Sequence, residues 1–277
     1  MSSPRPPSPE ESAEKEFRAS VHVYRKDGPG KEDVRWVVRE KAVTLYVNGS
    51  EVVTLLCTGH HLEELAAGFC YAEGFLKSPE DLESIRVEED GARVEVTASS
   101  DPSLARSLWQ KRTVTSGCGK GSLFYFALDA LLSRPVESSL RFDPRDVWDR
   151  MEELNRLSET YRRTRGVHNT ALATPGKILL FRDDIGRHNA VDMIVGHALL
   201  NRLDLEDKML LTTGRFTSEI LIKAAKVGLP VLVSRNTATS LAIELAQSFH
   251  ITLVGYARGG QFTVYSGNER IREESCR

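Results

Sequence analysis

Short apolar runs, separated by turn-forming residues, occupy the first third of the chain and predict β-strands. Asn48-Gly49 and Asp90-Gly91 each separate two such runs, and these dipeptides favour the tight turns of β-hairpins. Between the hairpins, apolar side chains at helical spacing predict a helix over residues 61–74. The predicted strands are 21–24, 35–38, 43–47, 52–56, 85–87 and 94–96. We therefore expect a small α+β unit here.

Farther along the chain, continuous apolar runs alternate with helical patterns. The first two runs flank Pro175-Gly176 and predict another hairpin. Strands that are apolar throughout and joined by helices indicate βαβ crossovers in a largely parallel sheet covered on both faces. The predicted strands are 170–173, 177–181, 209–212, 231–233 and 252–256. The predicted helices are 123–132, 145–163, 189–200, 217–227 and 239–248.

These patterns divide the chain into four regions. Residues 1–16 are rich in proline, serine and glutamate, which predicts a disordered tail. Residues 17–114 form the α+β unit, and residues 115–122 form a glycine-rich loop around a cysteine. Residues 123–277 form the α/β unit. The expected fold class is therefore α/β, with a smaller α+β region in front.

Composition narrows the possible function classes. The chain has 277 residues, and its four scattered cysteines are too few for a disulfide framework, which is typical of a reducing cytosol. A net charge of −2 argues against non-specific nucleic-acid binding. No apolar run is long enough for a signal peptide or a membrane span. Paired cysteine motifs for zinc and a phosphate-binding P-loop are also absent from the sequence.

An arginine follows each strand of the predicted parallel sheet, in segments 182–189, 213–215, 234–237 and 256–261. Ligands of open α/β sheets bind outside the carboxyl ends of the strands. Arginine binds phosphate through paired hydrogen bonds, and glycines and helix N-termini allow backbone N–H groups to approach an anion. A single such arginine would more simply be a surface charge, but together they predict a pocket for a phosphate-bearing ligand. The arginines expected to bind it are Arg187, Arg215, Arg235 and Arg258.

Acidic and histidine side chains near these segments leave several roles open. Asp183 and Asp184 could orient Arg187, or they could bind a ribose or a base amine. His168 and His188 could be acid–base groups, ligands or hydrogen-bonded loop histidines.

Cys118 lies between Gly117 and Gly119 and is followed by Lys120. The glycines leave its sulfur uncovered, and the nearby lysine would favour thiolate over thiol. Two function classes fit these residues. One is an enzyme whose cysteine carries a group covalently to or from a nucleotide-like molecule. The other is a nucleotide-binding regulatory or carrier module in which the cysteine is incidental.

Several segments resemble the formate dehydrogenase accessory sulfurtransferases, the FdhD family. The most specific is Arg-Asp-Asp-Ile-Gly-Arg-His-Asn-Ala-Val-Asp over residues 182–192. The resemblance runs from Phe17 to Ile271. The other matching segments are 62–69, 73–74, 213–215, 230–235 and 252–258.

The resemblance implies a cytoplasmic sulfurtransferase that takes sulfur from a cysteine desulfurase as a persulfide on Cys118. It implies delivery of that sulfur to bis-molybdopterin guanine dinucleotide, which is then inserted into the catalytic subunit of a formate dehydrogenase. It also implies a homodimer and a fold similar to that of cytidine deaminases. The alternative is a homologue that binds and delivers the cofactor without transferring sulfur. The matching cofactor-binding stretch is Tyr256, Ala257, Arg258, Gly259, Gly260 and Gln261.

The chain departs from the family at one position of the cysteine loop. The family loop commonly reads Cys-Gly-x-Cys, whereas Gly121 stands at the second cysteine position here. Sulfur would then leave Cys118 by direct attack on the outer persulfide sulfur, or after resolution by another thiol. A low cysteine pKa would assist both loading and release, and Lys111 and Lys120 are candidates for lowering it.

Overall fold

The structure is a computed structural model that describes residues 15–100 and 135–272, and also the backbone of residues 114–115 and 119–120. It begins with a two-stranded antiparallel hairpin, β1 (Glu16–Arg25) and β2 (Gly28–Val38). Lys15 and Glu16 are buried; the Lys15 ammonium binds the Asp183 carboxylate at 2.8 Å, and Glu16 pairs with Arg163 at 3.1 Å. The predicted tail boundary was therefore wrong at these two residues, and the rest of that prediction lies outside the described residues.

A four-stranded sheet follows, in the order β4-β3-β6-β5, with helix α1 (Leu62–Ala72) packed on it. Both predicted hairpins are confirmed. Asn48 and Gly49 adopt φ values of 48° and 72°, as a tight hairpin turn requires. The strands are β3 (Lys41–Val47), β4 (Ser50–Cys57), β5 (Leu82–Val87) and β6 (Arg93–Ala98).

The third sheet has six strands in the order β10-β9-β11-β12-β13-β14. The prediction of a largely parallel sheet was wrong. Only the β11–β12 and β12–β13 pairs are parallel, and the other three pairs are antiparallel. The reason is that the Pro175-Gly176 hairpin places β9 between β10 and β11. The strands are β9 (His168–Thr174), β10 (Lys177–Asp184), β11 (Met209–Thr212), β12 (Val231–Ser234), β13 (Thr252–Arg258) and β14 (Gln261–Ser266). A short antiparallel pair, β7 (Val114–Thr115) and β8 (Gly119–Lys120), precedes this sheet in the chain.

Helices cover both faces of the six-stranded sheet, as predicted. On one face, Leu210 and Leu232 pack in a core that includes residues of three helices. On the other, Leu211 and Val233 share a core with Val147 of a fourth helix. The predicted helix over 145–163 is broken in two, and the predicted helix over 123–132 lies outside the described residues. The helices are α2 (Pro144–Leu157), α3 (Glu159–Thr164), α4 (Arg187–Leu200), α5 (Ser218–Lys226) and α6 (Ser240–Ser248).

Helix α4 belongs to two cores at once. Its Ile194 packs in the core of the six-stranded sheet, while its Met193 packs in the core of the four-stranded sheet. A helix that is apolar around its circumference must be buried on all sides, and this one lies against α1 as well as β9 and β10. None of the helices in the described part is long and apolar enough to cross a bilayer.

Candidate functional site

A pocket of about 400 Å³ opens at the carboxyl ends of β11, β12 and β13. Each of the four arginine-bearing segments contributes at least one lining residue. The other lining residues come from the end of α3, the residues that lead into β9, and the first residue of β9. The lining residues are Tyr161, Arg165, Gly166, Val167, His168, Ile185, Thr213, Arg235, Asn236 and Arg258. The structure therefore brings together residues that are far apart in the chain, from Tyr161 to Arg258.

Two of the four predicted arginines, Arg235 and Arg258, line this pocket. The Arg258 guanidinium lies 5.8 Å from the ring centre of Tyr256, and Arg235 Nη1 donates to Asn155 Oδ1 at 3.4 Å. Arg165 is a third arginine in the lining and was missed by the sequence. Arg165 follows a short helix and not a strand of the sheet. The rule that ligands bind at the carboxyl ends of strands therefore does not predict it.

Arg187 and Arg215 are not among the described residues that line the pocket. Arg187 packs against Gly214, since a Cβ atom at Gly214 would lie only 2.9 Å from the Cβ of Arg187. Arg215 is exposed to solvent. His188 is directed to α5, where its Nε2 lies 2.9 Å from Glu219 Oε2. These three residues therefore surround the site rather than form its surface.

Asp184 shapes the backbone next to the pocket instead of facing a ligand. Its buried carboxylate accepts hydrogen bonds from Thr58 N at 2.7 Å and Thr58 Oγ1 at 3.0 Å. It also accepts from Gly186 N at 2.9 Å and Asn189 Nδ2 at 2.7 Å. Burial raises the pKa of this carboxyl, and the four hydrogen bonds oppose that rise. The carboxylate thus fixes the turn into α4.

Asp183 also has a structural role. Its Oδ1 accepts from Lys15 Nζ at 2.8 Å, and its Oδ2 accepts from Ser158 Oγ at 3.1 Å. Ser158 caps helix α3 by accepting from Tyr161 N at 3.0 Å. The break between α2 and α3 therefore depends on a carboxylate of a distant strand.

Hydroxyl groups at the strand ends hold the pocket segments together. Ser234 Oγ donates to Gly214 O at 2.6 Å and accepts from Asn236 N at 2.8 Å. Thr212 Oγ1 accepts from Gly214 N at 3.1 Å. Arg235 N donates to Thr212 O at 3.0 Å. Because the segments after β11 and β12 are tied together, this part of the pocket is formed before any ligand enters it.

His168 lines the pocket and is partly buried. Burial lowers the pKa of its imidazole, and the neighbouring side chains of Arg187 and His188 lower that pKa further. The ring is therefore neutral at neutral pH and offers one donor and one acceptor nitrogen.

The stretch Tyr256–Gln261 is a strand end and a hairpin turn rather than an open loop. Arg258 pairs with Gln261, and Gly259 and Gly260 between them have φ values of 62° and 77°. Positive φ at both central residues is what a two-residue hairpin turn requires, which explains the glycines without a ligand. Ala257 is buried, and Arg258 is the member of this stretch that lines the pocket.

Cys118 and the side chains of Lys111 and Lys120 lie outside the described residues. The short strands β7 and β8 pair on either side of Cys118. Cys57 and Cys70 are fully buried, and burial raises the pKa of each thiol to about 12. Neither is suited to carry sulfur, because the reacting species is an accessible thiolate.

The profile of the FdhD/NarQ family matches residues 38–272, which include every residue that lines the pocket. This chain belongs to the FdhD/NarQ family. Among curated proteins, it is 40% identical to the sulfur carrier protein FdhD of Bacillus subtilis over 237 residues, 86% of this chain and 90% of that protein. It is 41% identical to the sulfur carrier protein FdhD of Listeria innocua, over 85% of this chain and 91% of that protein.

A solved structure supports the fold as well as the family. It is described as a formate dehydrogenase accessory protein from Desulfotalea psychrophila. The TM-score is 0.77 with 26% sequence identity, and the match covers 93% of this chain and 99% of that one. The mixed α/β architecture of this chain therefore matches that of this solved structure.

Proposed function

We propose that this chain is a sulfurtransferase that supports formate dehydrogenase activity. It accepts sulfur from a cysteine desulfurase as a persulfide on Cys118 and transfers it to bis-molybdopterin guanine dinucleotide. The sulfurated cofactor is then inserted into the catalytic subunit of a formate dehydrogenase. The observation that carries this proposal is an arginine-lined pocket of nucleotide size in a chain of the FdhD/NarQ family.

The pocket supports the cofactor part of the proposal. Three arginines and one histidine line it, and its described lining residues include no aspartate or glutamate. A diphosphate group would meet guanidinium groups that bind its oxygens through paired hydrogen bonds. A volume of about 400 Å³ suits one guanosine diphosphate end of the cofactor rather than the whole molecule.

The names of the relatives support the sulfur part of the proposal, because both curated relatives are sulfur carrier proteins. In the loading step, the Cys118 thiolate attacks the outer sulfur of the desulfurase persulfide. A sulfur–sulfur bond forms on Cys118, and the desulfurase cysteine leaves as a thiolate. Thiolate is the attacking species in this exchange, so a low pKa at Cys118 would accelerate loading.

Release of the sulfur as sulfide requires two electrons, which a second thiol supplies when it forms a disulfide with Cys118. Gly121 stands where the family commonly has a second loop cysteine, so we propose that this thiol lies outside the cysteine loop. In the other route, the acceptor attacks the outer sulfur directly and supplies the electron pair of the new bond, the sulfur–sulfur bond breaks, and Cys118 leaves as a thiolate.

Two further features are proposed on the family resemblance. The chain acts in the cytoplasm as a homodimer, and its fold is similar to that of cytidine deaminases. The second candidate function is cofactor binding and delivery without sulfur transfer. Gly121 favours that candidate, since it removes the intramolecular resolving cysteine.

Complementation of a strain that lacks this factor tests the proposal. Wild type should restore formate dehydrogenase activity, Cys118→Ala should not, and the control Cys276→Ala should behave as wild type. After incubation with a cysteine desulfurase and cysteine, mass spectrometry of wild type should show an adduct of one sulfur atom, roughly 32 Da. This adduct should be absent from Cys118→Ala. Restored activity with Cys118→Ala would exclude sulfur transfer through Cys118 and would favour cofactor binding and delivery without sulfur transfer.

A further inference from the structure

We infer that Arg165, supported by Tyr161, binds phosphate and makes the pocket select a diphosphate over a monophosphate. This inference rests on the proposed binding of a guanine dinucleotide in the pocket. It assigns a specificity role to a wall that lies outside the four arginine-bearing segments.

The position of Arg165 is set by the end of helix α3. Its φ of 58° is left-handed, and its N–H donates to Tyr161 O at 2.9 Å. The chain then passes tightly under β2, because a Cβ atom at Gly166 would lie 2.6 Å from Val38 Cγ1. These constraints fix the backbone of Arg165 beside the pocket that Arg235 also lines.

Arg165 differs from the two arginines of α3 in the group that its guanidinium contacts. Arg162 lies 3.6 Å from a Glu159 carboxylate oxygen, and Arg163 lies 3.1 Å from a Glu16 carboxylate oxygen. The Arg165 guanidinium instead lies 4.9 Å from the ring centre of Tyr161. An aromatic ring orients a guanidinium without neutralising it. Arg165 therefore brings a positive charge to the pocket, where the described lining residues include no carboxylate.

Three separate elements supply the arginines of this pocket: the end of α3, the segment after β12, and the end of β13. The charge of a monophosphate is balanced by two guanidinium groups. A third guanidinium contributes most when the ligand carries a second phosphate, whose additional oxygens and charge it can bind. The third arginine therefore predicts a preference for a diphosphate.

The wall is held in place before a ligand binds. Tyr161 N donates to Ser158 Oγ, and Ser158 Oγ donates to Asp183 Oδ2 at 3.1 Å. Asp183 is in turn paired with the buried Lys15. This chain of contacts fixes α3 to β10, so the backbone that carries the exposed Arg165 side chain is in place before an anion binds.

Isothermal titration calorimetry of the full chain with guanosine diphosphate and guanosine monophosphate tests the inference. Wild type should bind the diphosphate roughly 10-fold more tightly, as expected for one added charge-assisted contact. Arg165→Gln should weaken diphosphate binding roughly 10-fold and monophosphate binding by less than about 3-fold. The control Arg162→Gln removes a charge from the same helix and should change neither affinity.

Tyr161 provides a second pair of variants. Tyr161→Ala should reproduce part of the Arg165→Gln effect, whereas Tyr161→Phe keeps the ring and should not. Equal loss of both nucleotides in Arg165→Gln, or equal affinity of wild type for both, would overturn the inference while leaving the proposed function intact. If wild type bound neither nucleotide, both the pocket's proposed ligand and this inference would be wrong.

Discussion

Gly68 of α1 and Gly196 of α4 form the point of closest approach between these two helices. A Cβ atom at Gly68 would lie 1.9 Å from the carbonyl oxygen of Asp192, and a Cβ atom at Gly196 would lie 1.8 Å from that of Glu64. Only hydrogen atoms fit in this space. The contact joins the cores of the two larger sheets, because α4 contributes to both of them.

We predict that Gly196→Ala separates the two helices and lowers the free energy of unfolding by roughly 3 kcal/mol, the upper range for overpacking. Denaturant unfolding followed by circular dichroism measures the change. Gly176→Ala is the matched control, since a Cβ there would meet no atom within 4 Å. An unchanged unfolding midpoint in Gly196→Ala would contradict the close helix contact.

Lys15→Met is expected to destabilise the protein and weaken the pocket at the same time. It removes the partner of the buried Asp183 carboxylate, and breaking one side of a buried pair costs roughly 3–5 kcal/mol. The same carboxylate positions the cap of α3, so nucleotide affinity should fall as well. Lys31→Met, on the exposed hairpin, is the control.

Two further variants separate the ion pair from a general effect of the mutation. The double substitution Lys15→Met with Asp183→Asn should recover part of the lost stability, because it leaves no unpaired charge. Deletion of residues 1–14 should be tolerated, whereas deletion of residues 1–16 should not. Equal stability of the two truncated proteins would show that the buried pair does not anchor the chain.

Glu64 should make the stability of the protein depend on acidic pH. Burial raises the pKa of its carboxyl, but the hydrogen bonds from Arg182 at 2.5 and 2.6 Å and from His197 at 2.8 Å outweigh burial. The pKa falls from 4.5 to about 2. Between these values the unfolded chain binds more protons than the folded protein. The contribution of Glu64, on the order of 3 kcal/mol, is therefore complete above pH 4.5 and is lost as the pH falls towards 2.

The measurement is the difference in unfolding free energy between wild type and Glu64→Gln across this range. Wild type should be the more stable protein at pH 6, and the difference should shrink as the pH falls to 3. Glu63→Gln, its exposed neighbour on α1, should show no such trend. A difference that stayed constant with pH would mean that Glu64 is not the titrating group.

Thiol labelling should distinguish Cys118 from the buried cysteines. With a pKa of about 12, Cys57 and Cys70 hold only roughly 3 thiolates per 100,000 molecules at pH 7.5. Iodoacetamide should leave both unmodified in the native protein and label them after unfolding. Peptide mass spectrometry that found Cys57 or Cys70 labelled as quickly as Cys118 would count against the proposed single carrier.

The hairpins could be predicted from the sequence because their signals are local. Asn48-Gly49, Asp90-Gly91 and Pro175-Gly176 each lie in the connection between two paired antiparallel strands, as expected, because the φ and ψ preferences of adjacent residues favour a turn there. The parallel sheet could not be predicted in the same way. A strand buried on both faces is apolar throughout whether its neighbours are parallel or antiparallel, so β9 carries no sign of its place between β10 and β11.

The sequence by itself determined most strands and helices, the four segments that meet at the pocket, and the glycine-flanked Cys118 that the family resemblance singles out. The tertiary structure decided that Arg165 lines the pocket while Arg187 packs behind it. It also decided that Asp183 binds Lys15 and the cap of α3. The physical reason is the sequence separation of the interacting residues. Backbone preferences act over a few residues, whereas the direction of a long side chain depends on neighbours far away in the chain.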